Sequence, residues 1–176
     1  MIRKIAFAGL CLLTLASFSP QKRKKEKPAQ TTAVEIDYKA IGAPLPELRV
    51  ATPKGTVITE KNLDTSGNLF LMLFNPTCGH CEDVTRMLEK NLSLFREGQI
   101  LLVSGEAMMP YLEYFNATTK VYDYPKIQVG VDSSGLIKKT FIYNSLPQIN
   151  IYDKNRRLLK ILTSEVPIDS LRPYIR

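Results

Sequence analysis

The sequence predicts an α/β fold, a central mixed β-sheet flanked by helices, and three observations carry that prediction. Short, densely apolar runs at 69–74, 99–103 and 127–131 alternate with segments whose apolar residues recur at helical spacing. The last third closes on two more apolar runs about a turn, which reads as a hairpin ending the sheet. Cys78 and Cys81, the two cysteines outside the N-terminal apolar segment, fall where the first of those strands gives way to a helix. With a leader set aside, the 176-residue chain has the length of one compact domain.

The chain opens Met1-Ile2-Arg3-Lys4, then runs apolar or small from Ile5 to Phe18. A charged start and an apolar stretch shorter than the ~20 residues of a bilayer span predict a signal peptide over 1–20. The basic run Lys22 to Lys27 is unfavourable for translocation and no A-x-A site is visible, so a cleaved leader and an uncleaved anchor both stay open. Cys11 follows a bulky Leu10 where a lipid-attachment motif needs a small residue, and reads as an ordinary leader residue. Residues 21–40 are basic and polar without apolar periodicity, which predicts a linker, with the domain over 41–176.

Within the domain, the prolines of Gly42-Ala43-Pro44-Leu45-Pro46 hold the backbone extended. Leu48 to Val50, a Pro53-Lys54-Gly55-Thr56 turn and Val57-Ile58 predict an N-terminal β-hairpin. Thr59 starts a short helix, and 64–68 is a turn into the strand at 69–74. After the cysteines, Val84, Met87, Leu88, Leu92 and Phe95 form one helical stripe, with Glu82 and Arg86 as an i, i+4 pair on its exposed side. The strand at 99–103 leads to a helix from Met108 to Phe115, then come the strand at 127–131, a helical turn over Gly135 to Thr140, strands near 148–152 and 157–162, and a terminal helix opening at Pro167.

Charge excludes one class of partner. Of 24 basic and 17 acidic residues, seven and one lie in 1–30, so the remaining 146 residues carry 17 and 16 and present no basic face for nucleic acid.

The chemistry lies in Cys78-Gly79-His80-Cys81. A cysteine at a helix N-terminus faces unpaired N–H groups and the positive end of the helix dipole, which favour the thiolate, the form that attacks disulfides. His80, the sole histidine, stands between the sulfurs, where an imidazole favours a thiolate by charge or hydrogen bonding. Structural zinc needs four ligands, and Cys78, His80 and Cys81 have no second cluster to complete the set, so no metal is expected. Met108-Met109 reads as helix packing, and Tyr122, Tyr124 and Tyr143 as half-buried tyrosines outside the site.

Strand, Cys-x-x-Cys at a helix start, βα units and a proline heading a terminal hairpin together resemble the thioredoxin superfamily. Gly42-x-x-x-Pro46, Lys54-Gly55 and Asn75-Pro76-Thr77 resemble its exported TlpA-like thiol–disulfide oxidoreductases over about residues 41–176. The resemblance implies a thioredoxin fold, with Cys78 the nucleophile, Cys81 the resolving thiol and a Cys78–Cys81 disulfide in the oxidised form. It further implies a cis Pro147 facing the cysteines, with Leu146, Thr77 and Gly79 meeting the substrate. The expected partners are protein thiols and disulfides and a membrane redox partner, outside the cytoplasm, with a monomeric chain and no cofactor beyond its own disulfide. Cys-Gly-His-Cys is the protein disulfide isomerase dipeptide and leans toward oxidation, whereas many TlpA-like proteins are reductants, so both directions stay open. Two residues depart from the family pattern. Leu71-Met72-Leu73 offers no buried acid to take the Cys81 proton, leaving water, His80, Glu82 or Asp83, and Thr77 stands where an aromatic residue usually precedes the first cysteine. The competing class is a redox-silent binding or assembly module on the same fold; a peroxidase would need a Thr-x-x-Cys site that Thr77-Cys78 does not form.

Overall fold

The computed structural model describes residues 35–141 and 145–175. The leader, the linker up to residue 34 and Tyr143 lie outside the described residues. Tyr38, assigned from sequence to the linker, packs against the sheet.

The sheet has seven strands: β1 (Val50–Ala51), β2 (Val57–Ile58), β3 (Leu69–Leu73), β4 (Gln99–Gly105), β5 (Ile127–Asp132), β6 (Gln148–Tyr152) and β7 (Leu158–Thr163). Their spatial order is β2-β1-β5-β4-β3-β6-β7. β3, β4 and β5 run parallel, while β6 is antiparallel to β3, β7 to β6, and β1 to both β2 and β5, so the sheet is mixed. The N-terminal hairpin is thereby stitched onto β5 as part of the sheet. Gly130 permits that contact: a Cβ there would lie 2.5 Å from the Ala51 carbonyl oxygen and 2.7 Å from Val50 Cγ1.

All five residues of β3 are buried because both faces of this central strand are covered. Phe70, Met72 and Phe74 meet α1 (Gly79–Lys90) through Cys81, Val84 and Leu88, and α2 (Leu112–Thr119) through Leu112 and Phe115. Phe70 packs edge-on against Phe95 with ring centres 4.9 Å apart, and Phe74 packs tilted, at 44°, against Phe115 at 4.7 Å. The opposite face, Leu69, Leu71 and Leu73 with Leu101 and Val103, is closed by Ile137 of α3 (Leu136–Thr140), Phe141, Leu48 and Leu63. The last helix is α4 (Ile168–Leu171).

Helix extents depart from expectation for identifiable reasons. Pro110 cannot donate to a helical ladder, so Glu106–Tyr111 forms a 3-10 turn and α2 starts only at Leu112. α1 stops at Lys90, where the Asn91 side chain caps the Met87 carbonyl at 2.8 Å, and the apolar stripe continues through a 3-10 turn, Leu92–Phe95.

Candidate active site

β3 ends at Leu73, and the Phe74 N–H still donates to the Val103 carbonyl at 3.2 Å. The chain then turns on Asn75, whose side-chain oxygen accepts from both the N–H and the hydroxyl of Thr77 at 3.0 Å while its carbonyl accepts from the Cys78 N–H at 3.1 Å. That turn delivers Cys78 as the N-cap of α1, with extended backbone (φ −100°, ψ 116°), and the Cys78 carbonyl takes the first helical bond from the Glu82 N–H at 3.1 Å. No side chain caps the helix, so the N–H groups of its first turn remain for the sulfur of the capping residue.

The two sulfurs sit in different environments. Cys78 is half-buried, whereas Cys81, one turn on, has no exposed surface and lies in the core with Val84 and Leu88. Burial pushes the Cys81 thiol up to about 12; its hydrogen bond to the Cys78 sulfur, the charge of Cys78 and the Glu82 carboxylate act in the same direction, against a backbone hydrogen bond from Asn75. The Thr85 hydroxyl donates to the Cys81 carbonyl at 2.8 Å within the same buried stripe.

Thr77, Gly79 and His80 are exposed beside Cys78. The Leu146–Pro147 peptide bond is cis. Because Leu73 pairs with Gln148, the buried Pro147 and the half-buried Leu146 precede β6 at the same end of the sheet where Phe74 to Cys78 leave β3. The candidate residues Thr77 to Cys81, Leu146 and Pro147 therefore fall at one end of the sheet, where β3 leaves it and β6 enters it. Tyr122 and Tyr124 lie elsewhere, lining a cavity of about 290 Å³ with Thr52, Lys54 and Ile58 on the β1–β2 side of the sheet. A cavity of about 580 Å³ at the opposite end of β3, lined by Gly67, Asn68, Asp153 and Tyr174, also lies outside the site.

Two acidic residues of α1 are more covered than glutamates usually are, and the first departs from the sequence expectation. Glu82 does pair with Arg86, at 2.9 Å, but on a largely covered side, its side chain only 14% exposed. Glu89 is buried although its residue type is usually solvated, and its position eight residues after Cys81 on the Thr85 stripe was the available signal. Burial raises its carboxyl to about 7, Arg86 opposing and Asp123 reinforcing the rise.

No protein-family model matches the chain, and no curated protein matches its sequence. Solved structures do match. The thioredoxin domain of a thiol-disulfide oxidoreductase from Bacteroides vulgatus superposes with a TM-score of 0.65 at 15% identity, over 78% of this chain and 99% of that one. The chain has the thioredoxin fold. A putative thiol:disulfide interchange protein DsbE from Chlorobium tepidum (TM-score 0.61, 18% identity, 74% and 90% covered) is similar as well. So is a secreted Mycobacterium tuberculosis disulfide oxidoreductase homologous to E. coli DsbE (0.58, 13%, 72% and 92%). On this thioredoxin fold the dithiol stands at the mouth of α1, one sulfur open to solvent and one enclosed.

Proposed function

We propose that the chain is a thiol–disulfide oxidoreductase acting on protein substrates through Cys78 and Cys81. The observation that carries this reading is the asymmetry of the pair: a reachable sulfur at a helix N-terminus within hydrogen-bond reach of a fully enclosed one. The thiolate of Cys78 attacks one sulfur of a substrate disulfide, that S–S bond breaks, and the first substrate thiolate leaves with a mixed disulfide formed on Cys78. Cys81 gives up its proton and attacks the Cys78 sulfur. The mixed disulfide breaks, the second substrate thiolate leaves, and both substrate sulfurs take up protons. Two electrons have passed to the substrate, and the reverse sequence oxidises a substrate dithiol.

Leu146 and Pro147 present backbone and side chain to the substrate beside Cys78, with Thr77 and Gly79 on the other flank and the exposed His80 next in the chain, between the two cysteines. No cofactor is needed beyond the protein's own disulfide. The signal peptide expected over 1–20 and the secreted structural neighbour support an extracytoplasmic setting. There the chain acts as a monomer, and a membrane redox partner resets the pair. Equilibration of the Cys78–Cys81 couple against glutathione assigns the direction: a strongly negative potential marks a reductant, a value above glutathione an oxidase or isomerase.

Paired cysteine variants test the reading. Cys78→Ser abolishes insulin-disulfide reduction, whereas Cys81→Ser keeps the attack and accumulates client–Cys78 mixed disulfides, visible as bands that collapse on reduction. Client capture that survives Cys78→Ser unchanged would replace this reading with the binding-module one.

A further inference from the structure

Resolution of the mixed disulfide presents Cys81 with a difficulty. Its thiol has no exposed surface, and β3 beneath it, Leu71-Met72-Leu73, is wholly apolar, so no buried acid on that strand receives the proton. Burial opposes Cys81 ionisation most, then its hydrogen bond to the Cys78 sulfur and the charge of Cys78, and the carboxylate of the next residue, Glu82, adds a smaller effect of the same sign. Being only 14% exposed, this carboxylate is poorly screened by water, unlike Asp83 at 74%.

Resting on the oxidoreductase reading, we infer that Arg86 is a positioning residue for resolution: it holds the Glu82 carboxylate in an ion pair and so limits the weight of its negative charge on the Cys81 sulfur. Arg86 is itself held from three sides. Nη2 binds Glu82 Oε2 at 2.9 Å, Nη1 binds Asp83 Oδ1 at 3.0 Å, and Nη2 also donates to the Thr118 carbonyl at 3.4 Å. That carbonyl belongs to the last turn of α2, where carbonyls lack helical partners, so the guanidinium joins two helices while it neutralises the acid. A flexible surface pair would contribute little. Here the cation is fixed by an acceptor outside its own helix, and the anion is mostly covered.

The charged groups around the dithiol are few. On α1 they are His80, Glu82, Asp83, Arg86, the buried Glu89 and, in the last turn, Lys90, and Asp123, in the 3-10 turn after α2, acts on Glu89. The strand below adds none, and α2 offers the neutral Thr118 carbonyl. Arg86 is the cation that pairs with Glu82 among the described residues, so its loss leaves that carboxylate uncompensated.

The test follows both thiols with 5,5′-dithiobis(2-nitrobenzoate). Cys78 breaks the reagent's S–S bond and releases one nitrothiobenzoate. Cys81 then loses its proton to the buffer, displaces a second nitrothiobenzoate from Cys78 and closes the protein disulfide. The rate of the second release, measured from pH 6 to 10, reports Cys81 ionisation. Arg86→Met slows it roughly three- to tenfold at pH 7 and moves the profile to higher pH, as an unmasked neighbouring anion requires. Arg86→Lys restores most of the rate, and Glu82→Gln speeds the step and moves the profile to lower pH. Should Arg86→Met fail to fold, Glu82→Gln and Arg86→Lys still carry the test. A merely structural arginine predicts lowered thermal stability with unmoved pH profiles, and that outcome overturns the inference. A parent protein that never releases the second equivalent defeats the oxidoreductase reading and the clamp with it; two equivalents released alike by parent and variants defeat the clamp alone.

Discussion

Glu89 gives the sharpest test of the packing around α1. It is 9% exposed, its Oε1 is enclosed with no hydrogen-bond partner among the described residues, and its carboxyl is raised from 4.5 to about 7, first by burial and then by Asp123, with Arg86 opposing. In the unfolded chain it ionises near 4.5. Between those values the folded protein binds the proton more tightly than the unfolded chain, so stability falls as pH rises through the window from 4.5 to 7 and is level above it. Each pH unit of that window is worth ~1.4 kcal/mol, which sets a ceiling of about 3.5 kcal/mol; only Oε1 is fully enclosed, so about 2 kcal/mol is expected. Glu89→Gln removes the titration and keeps the shape. Urea unfolding of reduced protein at pH 4.5 and pH 8 gives the decisive quantity, the loss of stability between the two. The parent loses about 2 kcal/mol and the Gln variant close to none, so the comparison cancels whatever the new amide costs at both pH values. Equal pH dependence in the two proteins would show that Glu89 titrates in the fold as it does in water, and the account of its burial would be wrong.

Two further outcomes follow from single contacts. Because Cys81 has no exposed surface and its thiol is pushed up to about 12, iodoacetamide at pH 7.5 should add one carbamidomethyl group to the reduced native chain, on Cys78, and two in urea. Peptide mass spectrometry reads this directly, and double labelling of the native protein refutes it. Gly130→Ala drives a Cβ against the Ala51 carbonyl oxygen and Val50 Cγ1, so β1 must shift away from β5 at a cost of about 2 kcal/mol in urea unfolding; an alanine variant as stable as the parent would show that the hairpin is not held so closely.

The parts of the fold legible in the sequence are those encoded locally. The strand-to-helix junction at Cys78 is a change of hydrophobic period within a few residues, and the terminal hairpin is two apolar runs about the turn at Asp153 to Arg156, so both were readable. The antiparallel docking of β1 on β5 was not. Its partners, Val50 with Asp132 and Ala51 with Val131, are some 80 residues apart, and the only local trace is a glycine in the middle of a strand. Residue type misled at the two acids. Glu82 was read as lying on the exposed side and Glu89 drew no reading at all, because glutamates are usually solvated, whereas their spacing from Cys81 and Thr85 places them on or beside the face that α1 turns inward.

Helical geometry also explains why the site needs this spacing of cysteines. Successive residues advance ~100° around the axis, so Cys81, three residues after the N-cap, lies ~60° from Cys78 and about one turn higher. That rotation moves the second sulfur from the helix mouth onto the stripe of Val84 and Leu88, which faces Phe70, Met72 and Phe74, yet keeps it next to the first. A spacing shorter by one would carry the second sulfur to the far side of the helix, and a longer one would lift it by another ~1.5 Å. The exposure of Cys78 and the enclosure of Cys81 therefore come from one helix start laid over an apolar strand. The turn at Asn75 sets where that start falls, binding both Thr77 and the Cys78 N–H before the first helical bond closes.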